Sequence, residues 1–161
     1  MREIHGYAEA AIGADAAALF ATITDIDRLP EWNRAIEKVL DRPGAITPGA
    51  EWTVEMHPAR GMRWRSVSTL QEIDARNLHV SYRTVNADGN PSYAIWVWDL
   101  TATTAGVNVS VRWDVYLKTL DRRLLAGPIW KRQLRKEVTA SLSALADLAV
   151  AQGPRPPLTI R

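Results

Sequence analysis

The chain contains no cysteine. That excludes a disulfide framework, a thiolate-bound zinc or iron–sulfur centre, and a cysteine nucleophile. Histidine is scarce: His5, His57 and His79 are all there is in 161 residues, and no His-x-x-x-His spacing joins them. A histidine-built metal site therefore has no basis in the sequence, and no metal is expected. Neither Gly-x-Ser-x-Gly nor Gly-x-Gly-x-x-Gly nor a phosphate-binding loop occurs. A serine-hydrolase elbow and a nucleotide cradle are both missing, so no cofactor is expected. No run of about 18 apolar residues exists, so no helix is expected to span a membrane. The opening Met1-Arg2-Glu3-Ile4-His5 lacks the basic-then-apolar layout of a secretion signal, and the expected compartment is the cytoplasm.

Phenylalanine occurs once and tryptophan seven times. Large rings supply much buried area and often line ligand cavities, although plain core filling uses them too. With 20 basic and 18 acidic residues the net charge is +2, too small an excess to point to nucleic acid. A hydrophobic fraction of 47% is that of an ordinary folded protein. A chain of 161 residues is long enough to form one core without metal or disulfide support.

The spacing predicts a strand over Glu3 to Ile12, with Ile4, Gly6, Ala8, Ala10 and Ile12 on one parity. Gly13 breaks it, and Ala14 to Thr24 carries Leu19, Phe20 and Ile23 at helical spacing. Pro30 marks the start of a second short helix, on which Trp32 and Ile36, four apart, would meet. From Trp52 to Val115 the chain alternates with period two between turn signals, so about six antiparallel strands follow in a meander. The clearest is Val107 to Val115, whose opposite parity reads Asn108, Ser110, Arg112, Asp114. The period then switches, and Trp130, Leu134, Val138, Leu142 and Leu145 form the stripe of a long helix. The expectation is one α+β domain over residues 1–151, followed by a flexible proline-rich tail over 152–161.

Certain local sequences add to this order. They are Asp25-Ile26-Asp27-Arg28-Leu29-Pro30-Glu31-Trp32, Gly49-Ala50-Glu51-Trp52, Gly106-Val107-Asn108-Val109-Ser110-Val111-Arg112-Trp113, and the leucine-rich final helix. With their spacing, the chain resembles the polyketide cyclase/dehydrase-like branch of the START and birch-allergen-like superfamily, from about Glu3 to Ala151. The resemblance implies a helix-grip fold: a curved antiparallel sheet of about seven strands around a long C-terminal helix, with two short helices after the first strand. It also implies a cavity for lipid- or polyketide-like molecules, held by carriers in some members and enzymes in others. Leu29-Pro30-Glu31-Trp32 departs from the Trp-Pro pair of the better-known aromatase/cyclases.

A curved sheet and one helix cannot touch along their whole lengths, so a concave, mostly apolar space is expected between them. The candidate ligand-binding residues are Trp52, Met56, Trp64, Arg65, Tyr82, Trp96, Trp98 and Trp113. Which parity of each strand faces inward stays open at this level. Arg65 and Tyr82 are the polar candidates, a cation and a phenol able to meet an oxygen of the ligand. Three functions remain: a small-molecule binder acting as a carrier, a cofactor-free cyclase or dehydratase, and a protein-interaction module. The expected partner is a small hydrophobic molecule, with neither nucleic acid nor integral membrane association, for a monomer or homodimer. Arg122-Arg123 and Lys131, Arg132, Arg135 and Lys136 form a basic cluster at the start of the last helix. A solvated helix face is its plain reading, and anionic lipid headgroups, an acidic protein patch or RNA the alternatives.

Overall fold

Each alternating stretch forms a strand in the computed structural model, which describes residues 2–58, 61–125 and 127–152. The strands are β1 (Arg2–Ile12), β2 (Ile36–Asp41), β3 (Glu51–Met56), β4 (Trp64–Asp74), β5 (His79–Asn86), β6 (Tyr93–Thr103) and β7 (Gly106–Leu117). They form one antiparallel sheet in the order β1-β7-β6-β5-β4-β3-β2. The first strand thus closes against the last, in a register that sets Ile4 opposite Val115 and Ile12 opposite Val107. Helices α1 (Ala16–Thr24) and α2 (Leu29–Trp32) follow β1, and α3 (Leu120–Leu125) and α4 (Gly127–Gln152) follow β7. This is the helix-grip arrangement. Beyond Gln152, the tail expected to be flexible lies outside the described residues.

Local chemistry sets the boundaries. Asp15 caps α1 by accepting the Ala18 N–H at 2.9 Å, and Leu19, Phe20 and Ile23 are buried from that helix. Asp25 opens a short 3-10 turn over Ile26–Arg28, which runs into α2 with Pro30 in its first turn. Here the structure corrects the sequence reading: Trp32 and Ile36 do not share a helical turn. The side chain of Asn33 accepts the Ala35 N–H at 3.1 Å and draws the backbone out of the helix, so Ile36 opens β2.

The inward parity becomes clear once α4 is in place. Val107, Val109, Val111, Trp113, Val115 and Leu117 of β7 are all buried, as are Val138, Leu142 and Leu145 of α4. Register shifts mark bulges between Leu70 and Glu72 and at two points along β2, and bulges of this kind bend a sheet. Two glycines are required by close approach. Gly6 sits opposite Trp113, and a Cβ there would overlap the indole ring. Gly106 opens β7 at φ +141°, with the Ile12 carbonyl where a Cβ would stand. The packing leaves Nε1 of both Trp32 and Trp113 buried without a hydrogen-bond partner among the described residues. Among the described residues no helix is long and apolar enough to cross a membrane.

Gly6→Ala is therefore expected to lower unfolding free energy by about 1–3 kcal/mol, and Gly6→Val by more, through overpacking against Trp113. Urea denaturation checks this, and an unchanged midpoint for Gly6→Ala would contradict the contact.

Candidate functional site

Near β1, α4 rests on the sheet, whereas towards β3–β6 the curved sheet leaves a gap beneath the helix. Small residues widen it: Ser66 and Ser68 on β4 and Thr84 on β5 point inward where large side chains would fill the space. The result is a cavity of about 150 Å³ with an adjoining lobe of about 130 Å³. Met56, Trp64, Ser66, Thr84, Trp96 and Leu134 border both.

Five aromatic side chains, Trp52, Trp64, Tyr82, Trp96 and Trp98, line the first cavity among aliphatic and small polar ones. Trp52 meets the Tyr82 ring edge-on at 5.4 Å, and Trp98 meets Trp32 edge-on at 5.5 Å. Trp64, 37% exposed, stands at the outer rim. The polar groups are few and mostly committed. Ser68 Oγ and Thr84 Oγ1 share a hydrogen bond at 3.0 Å, and Ser66 Oγ donates to the Val85 carbonyl at 3.3 Å. From α4, Ser141 Oγ accepts the Arg34 N–H at 3.1 Å.

Tyr82 differs. Its oxygen accepts from Trp98 Nε1 at 3.2 Å, while its own proton has no acceptor among the described residues. Burial pushes the phenol up to about 12, so it stays a donor through the neutral range. The ring keeps partial accessibility because it lines the cavity. Glu137, on α4, is the other. Its Oε1 accepts from Gln133 Nε2 at 2.9 Å, no cation pairs with it among the described residues, and burial raises its carboxyl above the ordinary value.

Of the residues expected from sequence, Trp52, Met56, Trp64, Tyr82, Trp96 and Trp98 stand around this cavity. Two do not. Arg65 is exposed and paired in register with Glu55 on the outer face, because the pleat that turns Trp64 and Ser66 inward turns Arg65 out. Trp113 is 1% exposed and fills the core against Gly6, its ring 5.9 Å from that of Trp96. Glu137 is not among the residues expected from sequence. Its signal lay in the spacing: Leu134, Val138 and Ser141 fall three before, one after and four after it, which places it on the apolar stripe. The histidines play no part here. His5 and His79 bind Asp114 and Asp99, each at 2.5 Å, from the outer face, and His57 is exposed.

The family model described as polyketide cyclase / dehydrase and lipid transport matches residues 3–150. Three solved structures share the fold. Protein CV1439 from Chromobacterium violaceum aligns with a TM-score of 0.72 and 18% identity over 90% of this chain and 96% of its own. Ara h 8.0201 aligns at 0.73 and 15% identity over 93% and 99%. The di-domain ARO/CYC StfQ from the steffimycin biosynthetic pathway aligns at 0.73 and 11% identity, over 93% of this chain and 51% of its own. Among curated proteins none matches.

The Tyr82 phenol gives the cavity a measurable signature. The native state holds this proton to about 12, whereas an unfolded chain releases it near 10. Its contribution to stability is therefore constant below about pH 10 and lost as pH rises towards about 12. Relative to Tyr82→Phe, the wild type should lose about 2–3 kcal/mol of unfolding free energy across that window. Urea titrations of both proteins at stepped pH test this, and parallel pH curves would contradict it.

Proposed function

The chain belongs to the polyketide cyclase / dehydrase and lipid transport family, and from that premise we propose that it binds a small hydrophobic molecule carrying one or two oxygen functions. The ligand sits between the sheet and α4, its apolar body against Trp52, Met56, Trp64, Trp96 and Trp98. One observation carries the reading: a buried tyrosine proton with no acceptor faces an aromatic cavity. A carbonyl, ether or phenolate oxygen of the ligand supplies that acceptor, and a ligand hydroxyl donates to Glu137. The polyketide- and lipid-like molecules that the family's description names fit such a site.

Two functional classes share this geometry, and Glu137 separates them. As a carrier, the protein uses Glu137 only to orient the ligand. The second reading, a cyclase or dehydratase, is favoured by the place of Glu137: a carboxyl that lines the cavity, raised above its ordinary value by burial, can exchange a proton with a bound ligand. Its ionised form pairs with no cation among the described residues and is disfavoured by burial, so it weakens the fold near neutral pH.

Titration with a hydroxylated polycyclic ketone, read by tryptophan fluorescence, should show saturable quenching. Tyr82→Phe is expected to weaken that ligand about three- to tenfold, the value of one hydrogen bond, and to leave an oxygen-free hydrocarbon probe unaffected. No saturable quenching across a panel of such ketones would overturn the reading. Glu137→Gln should raise the melting temperature near neutral pH. Retained binding with lost conversion of the ketone marks an enzyme, and retained binding with no conversion by either protein marks a carrier.

A further inference from the structure

Where the chain passes from β7 into α4, large apolar side chains stand in the open. Leu120 is 68% exposed, Leu124 73%, Ile129 73% and Trp130 36%. Leu120 and Leu124 are four apart on α3 and share a face, and the Arg122 guanidinium lies 5.5 Å over the Trp130 ring, tying α3 to the start of α4. Soluble surfaces seldom gather so many large apolar groups without a partner to cover them.

The charges around them are of one sign. From Leu120 to Lys136 the sequence holds six basic residues and one acidic residue, Asp121. Arg122 is held by Asp88 at 2.7 Å. Lys131, Arg132, Arg135 and Lys136 are exposed and make no ion pair among the described residues. Ile129, Arg132 and Lys136 recur at intervals of three and four, on the side of α4 opposite Leu134, Val138, Ser141 and Leu145. Apolar side chains that can enter an acyl boundary, beside long cationic ones that reach outward, make an interfacial amphipathic surface.

We propose that this α3–α4 junction docks on the surface of an anionic lipid bilayer. Leu120, Leu124 and Ile129 enter the boundary between headgroups and acyl chains, Trp130 lies at headgroup depth, and the four unpaired cations rest on lipid phosphates. Charge complementarity selects this occupant: flexible lysine and arginine side chains suit a diffuse anionic plane. The position agrees, because Arg122, Trp130 and Leu134 also border the second lobe of the cavity. Docking therefore brings the border of that lobe close to lipid, which shortens the route of an apolar molecule between bilayer and protein. The surface and its test stand independently of what the cavity binds.

Co-sedimentation of the full chain with phosphatidylcholine vesicles, with and without phosphatidylglycerol, tests the proposal. Binding is expected only to the anionic vesicles and should be suppressed in molar salt, where the screening length falls to about 3 Å. Leu120→Glu combined with Leu124→Glu should weaken it on the order of tenfold. Replacing Lys131, Arg132, Arg135 and Lys136 together by glutamine should weaken it on the order of a hundredfold. Arg76→Gln, a charge removed from the exposed β4–β5 turn, is the control and should change binding less than twofold. All positions are exposed, and circular dichroism establishes that each variant is folded. Failure of the wild type to sediment with anionic vesicles overturns the proposal, as does equal binding by the two multiple variants. Capture by an acidic protein in place of vesicles also overturns it.

Discussion

The contact on which the rest depends is that of Trp113 with the bare backbone of Gly6. Because position 6 carries no side chain, the indole lies flat against β1, and the first and last strands of the sheet close over a full core. That half of the molecule is packed to exclusion, with Val109, Val111, Leu117 and Leu145 at 0% exposure. The other half is relieved of packing duty. With the sheet pinned at β1–β7, its bulged far strands curl away from α4, and serine and threonine line the gap where the first half has valine and leucine. A rigid end and an open end are thus built from one sheet.

The open end changes the chemistry of the groups it encloses. Tyr82 and Glu137 both line the cavity and pair with no charged group among the described residues, so each is pushed towards its protonated form for the same reason, the cost of burying an anion. The outer face behaves in the opposite way. There His5 is raised by its hydrogen bond to Asp114, an interaction on the outer face, its histidine open to solvent, that adds little to stability. Polar residues on the two faces of one sheet thus carry different meanings, and only those on the inner face bear on ligand chemistry.

How much of this was legible in the sequence follows from the periods involved. A two-residue period shows that Trp96, Trp98 and Leu100 share a face, and the long β7 alternation shows a one-sided strand, so β1 and the run from β3 to β7 are legible. About six strands are expected from Trp52 to Val115 where there are five, and β2 (Ile36–Asp41) lies outside that stretch. Period alone carries no sign. Arg65 seemed a plausible cavity cation only while the inward parity of β4 was open, and once Trp64 and Ser66 point inward it cannot. Trp113 had the right parity and the wrong depth: it faces inward, but opposite a glycine that lets the core absorb it. Such a contact joins positions 107 residues apart, beyond the reach of local pattern. Glu137 failed for a different reason. Its position on the stripe was visible, but its charge argued against burial, and burying a carboxylate is the exception that a site requires. The break after Trp32 was hidden in the side chain of Asn33, whose hydrogen bond to Ala35 outweighs the helical spacing of Trp32 and Ile36.

A cavity of this kind poses an access problem that the fold itself answers. A ligand hydrophobic enough to favour the tryptophan walls dissolves poorly in water, so its rate of entry depends on where the mouth opens. The second lobe is bordered by Arg122 of α3 and by Trp130 and Leu134 of α4, and Leu120, Leu124 and Ile129 stand exposed on the same two helices. The β1–β7 end is filled instead, with Trp113 packed against Gly6. Leucine at 120 and 124 is a poor choice for a surface that meets only water, and a good one for a rim that must hand an apolar molecule to an apolar phase. The same geometry that creates the cavity therefore determines which surface of the protein governs exchange.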